Sequence, residues 1–531
     1  MGIPRFFRFI NEQFPHVAKS TSFNSGFKLA VDNLYLDANG ILHNCSREIY
    51  FSKTPRLARS TNGPVNKETM VFKAITAYID QLLQYVKPRK VFYIAIDGPA
   101  PLAKQSQQRQ RRYKAALEKT EDEMQTFDST CITPGTVFME RVSKFICEYI
   151  KKRVASDPQW GAVTVIFSGP DVPGEGEHKI VQYIREQPSS RNDVHCMYGL
   201  DADLFMLSLA THCPKFYLLR EDQFRTVWND TLFYTVDIKK LRRGLIEKWG
   251  GDDCKSGDSL INDFIFICFM AGNDFLHSLP ACHDLSESID FLMDLRLQTL
   301  KCEFITAGPQ NYNLGNLTEF LSQLAKSEVQ IISGQFYHQN FPNLTLNSSL
   351  ENPLQPSFGI NLAKYRELYY KKANVDHKNI KQVRALCKNY IQGLEWVHYY
   401  YHNKPKNWGW YYPYHYSPLV TDLVEYLTTT TKLSRVSTKE IEPIKPFEQL
   451  LCVVPPRSKN LLPTFLQGMY TGILKEWFPL EFPIDLEGKT REWEGIGILP
   501  FIDIQRIREE YPKGGRNLKR NNFGVNHIFK K

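Results

Sequence analysis

The sequence predicts an α/β protein built on a parallel sheet, and three observations predict it. First, short apolar runs end in an acid: residues 31–36 lead to Asp37, 91–96 to Asp97, and 195–200 to Asp201, with Asp203 two positions further on. Second, the segments between these runs are long enough to hold helices, the spacing of a parallel sheet with crossovers. Third, a fourth apolar run, 163–167, enters Gly-Pro-Asp-Val-Pro-Gly-Glu-Gly-Glu-His-Lys at 169–179, followed by helix-like Ile180, Val181, Tyr183 and Ile184. Glu175 and Glu177 thus sit at a strand-to-helix turn, each preceded by a glycine that lets backbone approach a ligand closely. In an open parallel sheet, that edge is where ligands bind. A fifth apolar run, 264–271, delivers Asp274 after Gly272-Asn273.

A single Asp after a strand is commonly a helix cap. Seven acids from five segments ask for more, because like charges at one edge repel and the cost needs an offset. Divalent cations supply it. An oxygen-only donor set without His or Cys partners favours Mg²⁺, or Mn²⁺ in its place, over Zn²⁺. Asp37, Asp97, Glu175, Glu177, Asp201, Asp203 and Asp274 are therefore the candidate catalytic and metal-binding residues.

Composition narrows the class. At 531 residues the chain is long enough for two or more domains. Hydrophobic content of 42% and charged content of 23% are those of a soluble globular protein, and no apolar run reaches the length of a membrane span. The start, Met-Gly-Ile-Pro-Arg-Phe-Phe, lacks the apolar core of a signal peptide and the Ser or Thr of a myristoylation signal. Eleven cysteines occur without a C-x-x-C pair, which implies reduced thiols in a cytosolic or nuclear setting and argues against structural zinc.

The net charge of +9 is a mild bias, and its distribution says more. Residues 104–114 read Lys-Gln-Ser-Gln-Gln-Arg-Gln-Arg-Arg-Tyr-Lys, with no acid among them. On a helix, Lys104, Gln108, Arg111 and Arg112 project from one face. The stretch begins shortly after Asp97, so this face starts beside the acids and suits a terminal phosphate, whose oxygens match arginine forks.

Residues 1–285 hold the acid-bearing runs. Within them, 139–154 has the apolar spacing of an amphipathic helix. Residues 286–375 are less patterned, and the Asn- and Pro-bearing stretch 340–356 predicts loop or insertion. A second organised region, 376–531, opens with a helix predicted over 380–401. It continues with Trp-Gly-Trp-Tyr-Tyr-Pro-Tyr-His-Tyr at 408–416 and ends in a basic tail, 513–531. Most of those aromatics suit packing; one Trp stacked on a nucleobase contributes roughly 1–3 kcal/mol.

These motifs resemble the Xrn family of 5′→3′ exoribonucleases. The residues that carry the resemblance are 1–8, 34–45 (Leu-Tyr-Leu-Asp-Ala-Asn-Gly-Ile-Leu-His-Asn-Cys), 96–112, 132–139, 172–180, 198–207 and 272–280, then 410–418, 446–455 and 493–503. Looser stretches lie at 115–130 and 285–375. The resemblance implies a PIN/FEN-like parallel-sheet nuclease core flanked by helices, with a mainly helical second region packed against it to close the site. It puts the family's metal-binding acids on the seven residues above, holding two ions, with Asn39 steadying Asp37. It puts the 5′-phosphate pocket on Lys104, Gln108, Arg111 and Arg112, and base stacking on His43 and Trp410, with Trp408 the second choice. The implied substrate is single-stranded RNA with a 5′-monophosphate, cut by a monomer in mRNA decay.

His-Asn-Cys at 43–45 and Leu-Leu-Arg-Glu at 218–221 look like the cytoplasmic branch. Departures are Leu102 where many members have Arg, Ala38 in place of a common Met, and His277-Ser278 in place of Pro-His. None falls on an implied ligand. The chain ends soon after the second region, where larger members continue into small β-rich domains. The expectation is either a compact member or one whose bracing comes from a protein partner. Two other functions use the same residues: a flap-type structure-specific nuclease, and a catalytically weak RNA-binding or assembly protein on the same fold.

Overall fold

The computed structural model describes residues 6–22, 26–52, 66–222, 232–251, 256–282, 285–306, 308, 311–352, 359–430, 441–489, 491–512 and 518–531. Residues 1–5 of the first motif, 353–356 of the predicted loop and 513–517 of the tail lie outside the described residues. The chain forms two compact units, each assembled from separated stretches. A sheet unit comprises Phe14–Leu241, Glu442–Leu480 and Ile502–Lys531; a helical unit comprises Met1–Gln13, Arg242–Ile441 and Glu481–Phe501.

The sheet unit is built on eight strands. They are β1 (Ala18–Ser22), β2 (Asn33–Asp37), β3 (Val91–Ala95), β4 (Thr164–Ser168), β5 (His195–Tyr198), β6 (Phe216–Glu221), β7 (Leu232–Asp237) and the short strand His527–Phe529. The order across the sheet is β1-β7-β6-β5-β2-β3-β4 and then His527–Phe529. The five central strands are parallel, and antiparallel strands close both edges. Register aligns the carboxyl ends: Asp37 lies opposite Ala95, Ala95 opposite Ser168, and Leu36 opposite Tyr198. The four acid-linked runs of the sequence are therefore neighbouring strands with flush ends.

Both faces of the central strands are covered, which is why they read as apolar runs rather than as alternating ones. On one face Leu34, Leu36, Phe92, Ile94, Val165 and Phe167 pack against the helices Lys67–Val86 and Val137–Ser156, through Ile75, Ile79, Leu82, Val142, Ile146 and Ile150. The second helix is the one predicted over 139–154; Thr136 caps it by accepting from the Met139 N–H. The other face carries Tyr35, Tyr93 and His195. Tyr35 stacks on His195 with ring centres 5.8 Å apart and shares a 2.9 Å hydrogen bond with its Nδ1.

In the helical unit the fifth apolar run is not a strand. It belongs to the helix Gly257–Met270, capped by Ser256 and buried from Leu260 to Met270. A continuous apolar run cannot by itself tell a buried strand from a buried helix. Residues 286–375 also hold more structure than their pattern suggested, in the helices Leu285–Leu300, Leu314–Gly334 and Leu362–Lys372. Buried Leu317, Phe320, Leu321 and Leu324 form the core stripe of the second of these, diluted in sequence by Gln, Ser and Thr. The helix predicted over 380–401 spans Ile380–His402.

Two buried charges lock this unit. Glu328 accepts the N–H groups of Val420 (2.6 Å) and Thr421 (3.0 Å), capping the helix Val420–Thr428 from outside. Asp263 accepts from Arg296 Nε (3.1 Å), Ile305 N (3.0 Å), Thr306 N (2.7 Å) and the Thr306 hydroxyl (2.7 Å). Among the described residues, no helix is long and apolar enough to cross a membrane, and the ten cysteines are free thiols.

Candidate active site

The carboxyl edge of the sheet unit gathers acids because each strand there hands over to a turn. Asp37 is the last residue of β2, and Asp97 follows β3 by two positions. Glu175 precedes the helix Gly176–Arg185 and Glu177 lies in its first turn. Asp201 and Asp203 link β5 to the helix Asp203–Ala210. One carboxylate oxygen each from Asp37, Asp97 and Glu177 lie within 4.8 Å of one another. Glu175, Glu177 and His178 form a second group within the same span. Sequence reasoning counted only oxygen donors and passed over His178, whose signal was its place in the same turn.

Close backbone approach makes this convergence possible. The Gly176 N–H donates to Asp97 Oδ1 at 2.7 Å. A side chain at Gly176 would come within 2.8 Å of Asp37 Oδ1 and push that carboxylate from its place. A Cβ at Gly98 would overlap the Val172 carbonyl oxygen, where the Gly98 N–H donates to Gly174 O at 2.9 Å. Asn39 acts differently from the sequence expectation. Its side-chain amide donates to Asp97 Oδ2 and accepts the Asp97 N–H at 3.0 Å, while only its backbone N–H reaches Asp37.

Lys179 was also missed. Its buried ammonium donates to the carbonyls of Ile96 (2.6 Å) and Gly169 (2.9 Å), tying together the ends of two acid-bearing turns. Burial pushes its pKa down to about 7, against the pull of Asp97, Asp171, Glu177 and Asp37. Arg220 performs a similar service at the next turn, donating to the carbonyls of Asp201 (2.9 Å) and Leu200.

The acids strain one another. Burial first, then Asp97, Asp201 and Asp203, hold the Asp37 pKa well above the usual carboxylate range. Burial, then Glu175, Asp37, Asp203 and Asp97, do the same to Glu177. Asp97 is raised by burial, with the Gly176 N–H, Lys104 and Lys179 opposing. Asp37 Oδ1 is buried and accepts no hydrogen bond. A clustered oxygen set with an orphaned lone pair and mutual repulsion fits a hard divalent cation.

The basic stretch forms the helix Leu102–Glu118. Arg109 anchors it, donating to Tyr113 OH (2.9 Å), Cys452 O (3.2 Å) and Trp477 O. Lys104 meets the acids directly: its Nζ lies 2.5 Å from Glu175 Oε2, with both side chains buried. Gln108 is buried and accepts from Gln449 Nε2 at 3.4 Å. Arg111 is exposed and Arg112 half-buried. Burial, then Arg111, lowers the Arg112 pKa to about 9, and its Nη1 is buried without a hydrogen-bond partner. Adjacent guanidiniums with an unused donor suit an oxyanion. His43 keeps a solvent-exposed face, yet crowding by protein, then Arg111 and Arg112, pushes its pKa down to about 4. Its ring is neutral at physiological pH.

The remaining predicted residues belong to the helical unit. Asp274 is half-buried in the turn after Gly257–Met270, where Asn273 Oδ1 accepts the Phe275 (2.8 Å) and Leu276 (2.9 Å) N–H groups. Trp408 is buried, whereas half-buried Trp410 stacks on Trp396 with ring centres 4.9 Å apart. Of the two tryptophans, Trp410 has the more accessible ring.

Comparison with known proteins identifies the family. The family description "XRN 5'-3' exonuclease N-terminus" matches residues 1–222, and "Xrn1 helical domain" matches 255–352 and 360–529. The chain is similar to 5'-3' exoribonuclease 1 of Schizosaccharomyces pombe, 31% identical over all of this chain and 50% of that protein. It is similar to 5'-3' exoribonuclease 1 of Homo sapiens, 30% identical over 98% of this chain and 34% of that one. It is also similar to the 5'-3' exoribonuclease 2 homolog of Drosophila melanogaster, 30% identical over all of this chain and 73% of that protein. The chain thus spans half or less of the two exoribonuclease 1 relatives. With both descriptions matched and the acid cluster formed where the first of them lies, the chain belongs to the Xrn 5′–3′ exonuclease family.

Proposed function

We propose that the chain is a 5′→3′ exoribonuclease of RNA decay, acting in the cytoplasm on 5′-monophosphorylated single-stranded RNA and releasing nucleoside 5′-monophosphates. The observation that carries it is the meeting of Asp37, Asp97 and Glu177 oxygens, joined to the basic helix through the Lys104–Glu175 pair. Asp37, Asp97, Glu175, Glu177, Asp201 and Asp203 would hold two Mg²⁺ ions; the resemblance alone would add Asp274. Bound there, the cations supply Lewis-acid stabilisation of charge on the scissile phosphate.

The chain's own residues account for the rest. Asn39 and the Gly176 N–H hold both oxygens of Asp97 in place. Arg111, Arg112 and Gln108 grip a terminal phosphate, which disfavours capped and 5′-hydroxyl ends. His43, kept neutral, offers an uncharged ring to a base, and Trp410 offers an indole face. Phosphate capture with stacking reads no sequence.

Incubation of the purified chain with 5′-phosphorylated and 5′-hydroxyl RNA tests this. Mononucleotides are expected from the phosphorylated RNA only, and only with Mg²⁺. Arg111→Ala is expected to cut that preference about tenfold or more, the worth of a charged hydrogen bond. An unchanged preference removes the pocket, and product of internal size from a parallel 5′-flap DNA arm favours the flap-type function instead.

A further inference from the structure

Gln108 raises a question that charge does not answer. A primary amide presents either a donor or an acceptor to a ligand, and phosphate oxygens only accept. The hydrogen bonds behind Gln108 settle which end is offered. The Ala100 N–H can only donate, and it points at Gln449, 2.9 Å from the side-chain oxygen. Gln449 is fully buried, so its oxygen must face Ala100 and its NH₂ must face the other way. That NH₂ meets Gln108 Oε1 at 3.4 Å. Gln108 therefore spends its oxygen on Gln449 and keeps its own NH₂ to donate. The direction of this relay follows from one backbone N–H, which sets the Gln449 amide and, through it, that of Gln108.

Neighbours hold the relay still. Gln105 Nε2 donates to the Ala100 carbonyl at 2.7 Å, so the same residue orients a third amide. Gln449 rides on the helix Pro446–Val453, which Arg109 ties to the basic helix through Cys452 O and which Asn521 caps at the Phe447 N–H, 3.0 Å. A residue about 340 positions away in sequence thus sets the polarity of a group on the basic face.

We propose that Gln449 is a positioning residue for 5′-end selectivity: it fixes Gln108 with the amide nitrogen, rather than the oxygen, presented to the terminal phosphate. The proposal deepens the 5′-phosphate function and rests on it. Loss of the Gln449 donor frees the Gln108 amide to rotate, so that part of the population offers lone pairs to an anion. Both side chains are uncharged, so the effect is one of orientation.

A double-mutant cycle tests it. The readout is the ratio of kcat/KM for 5′-phosphorylated over 5′-hydroxyl RNA of identical sequence, with Mg²⁺. Gln108→Leu is expected to lower that ratio about tenfold or more, since a hydrogen bond to a charged group is lost. Gln449→Met is expected to lower it roughly three- to tenfold, chiefly through KM for the phosphorylated RNA. The Gln108→Leu/Gln449→Met protein is expected to match Gln108→Leu, because nothing is left to orient. A packing defect would lower both substrates alike and leave the ratio intact; melting temperatures of all three variants report it separately. An unchanged ratio in Gln449→Met overturns the proposal, and so do single effects that multiply in the double variant. A parent chain that does not discriminate between the two ends sinks the 5′-phosphate function itself, and the positioning role with it.

Discussion

Asp37→Asn is expected to lose Mg²⁺-dependent RNA hydrolysis by on the order of a thousandfold or more, and to melt at a higher temperature than the parent without divalent cation. The two effects share one cause. Asp37 is buried among Asp97, Asp201 and Asp203, which with burial hold its pKa well above the ordinary value. An acid whose folded pKa is raised contributes stability that is full below the unfolded pKa and lost as pH rises through the folded value. Near neutral pH the carboxylate therefore opposes folding, and asparagine removes that opposition. The amide oxygen still accepts the Asn39 N–H, so the turn survives. Cation binding reverses the comparison: Mg²⁺ stabilises the parent by mass action and leaves the variant nearly unmoved. Loss of a ligand removes several kcal/mol of charge stabilisation, which is the source of the rate effect. Thermal melts with and without Mg²⁺, beside a nuclease assay, check both. A variant that melts lower than the parent without cation contradicts the argument.

Arg296→Met is expected to cost about 3–5 kcal/mol and to lower the melting temperature by on the order of 10 °C. Arg296 and Asp263 are both fully buried, 3.1 Å apart. Removing the guanidinium leaves a carboxylate inside the helical unit, and the carbonyls of Lys301 and Glu303 lose their donor as well. The Ile305 and Thr306 N–H groups still bond Asp263, which limits the damage. Asp263→Ala is expected to be worse, since it strands those two donors and the arginine together. Thermal denaturation followed by far-ultraviolet circular dichroism measures both variants. A shift within about 2 °C for Arg296→Met contradicts the network.

Much of the sheet was legible because its signals are local. An apolar run ending in Asp announces both a strand and the edge where its acid sits, and β2, β3 and β5 followed that rule. The face of the basic helix was legible for the same reason, since Lys104, Gln108, Arg111 and Arg112 repeat at helical spacing. Contacts between distant residues were not. Nothing beside Asn39 says that its amide serves Asp97, and nothing beside Lys179 says that it collects carbonyls from two turns. Gln449 reads as an ordinary helix residue until Ala100 and Gln108 surround it. The run at 264–271 was ambiguous for a physical reason, because a helix buried on all sides has no polar stripe to betray its period. Residues 286–375 hid their helices in the opposite way, with core stripes thinned by small polar residues.

Oxygens of Asp37, Asp97 and Glu177 are expected to seat a divalent cation. Anomalous diffraction from a crystal of the chain soaked in Mn²⁺ measures this directly. The expected result is an anomalous peak in coordination contact with all three carboxylates. A map at saturating Mn²⁺ with no peak at those side chains contradicts the claim, together with the hydrolytic mechanism that depends on it.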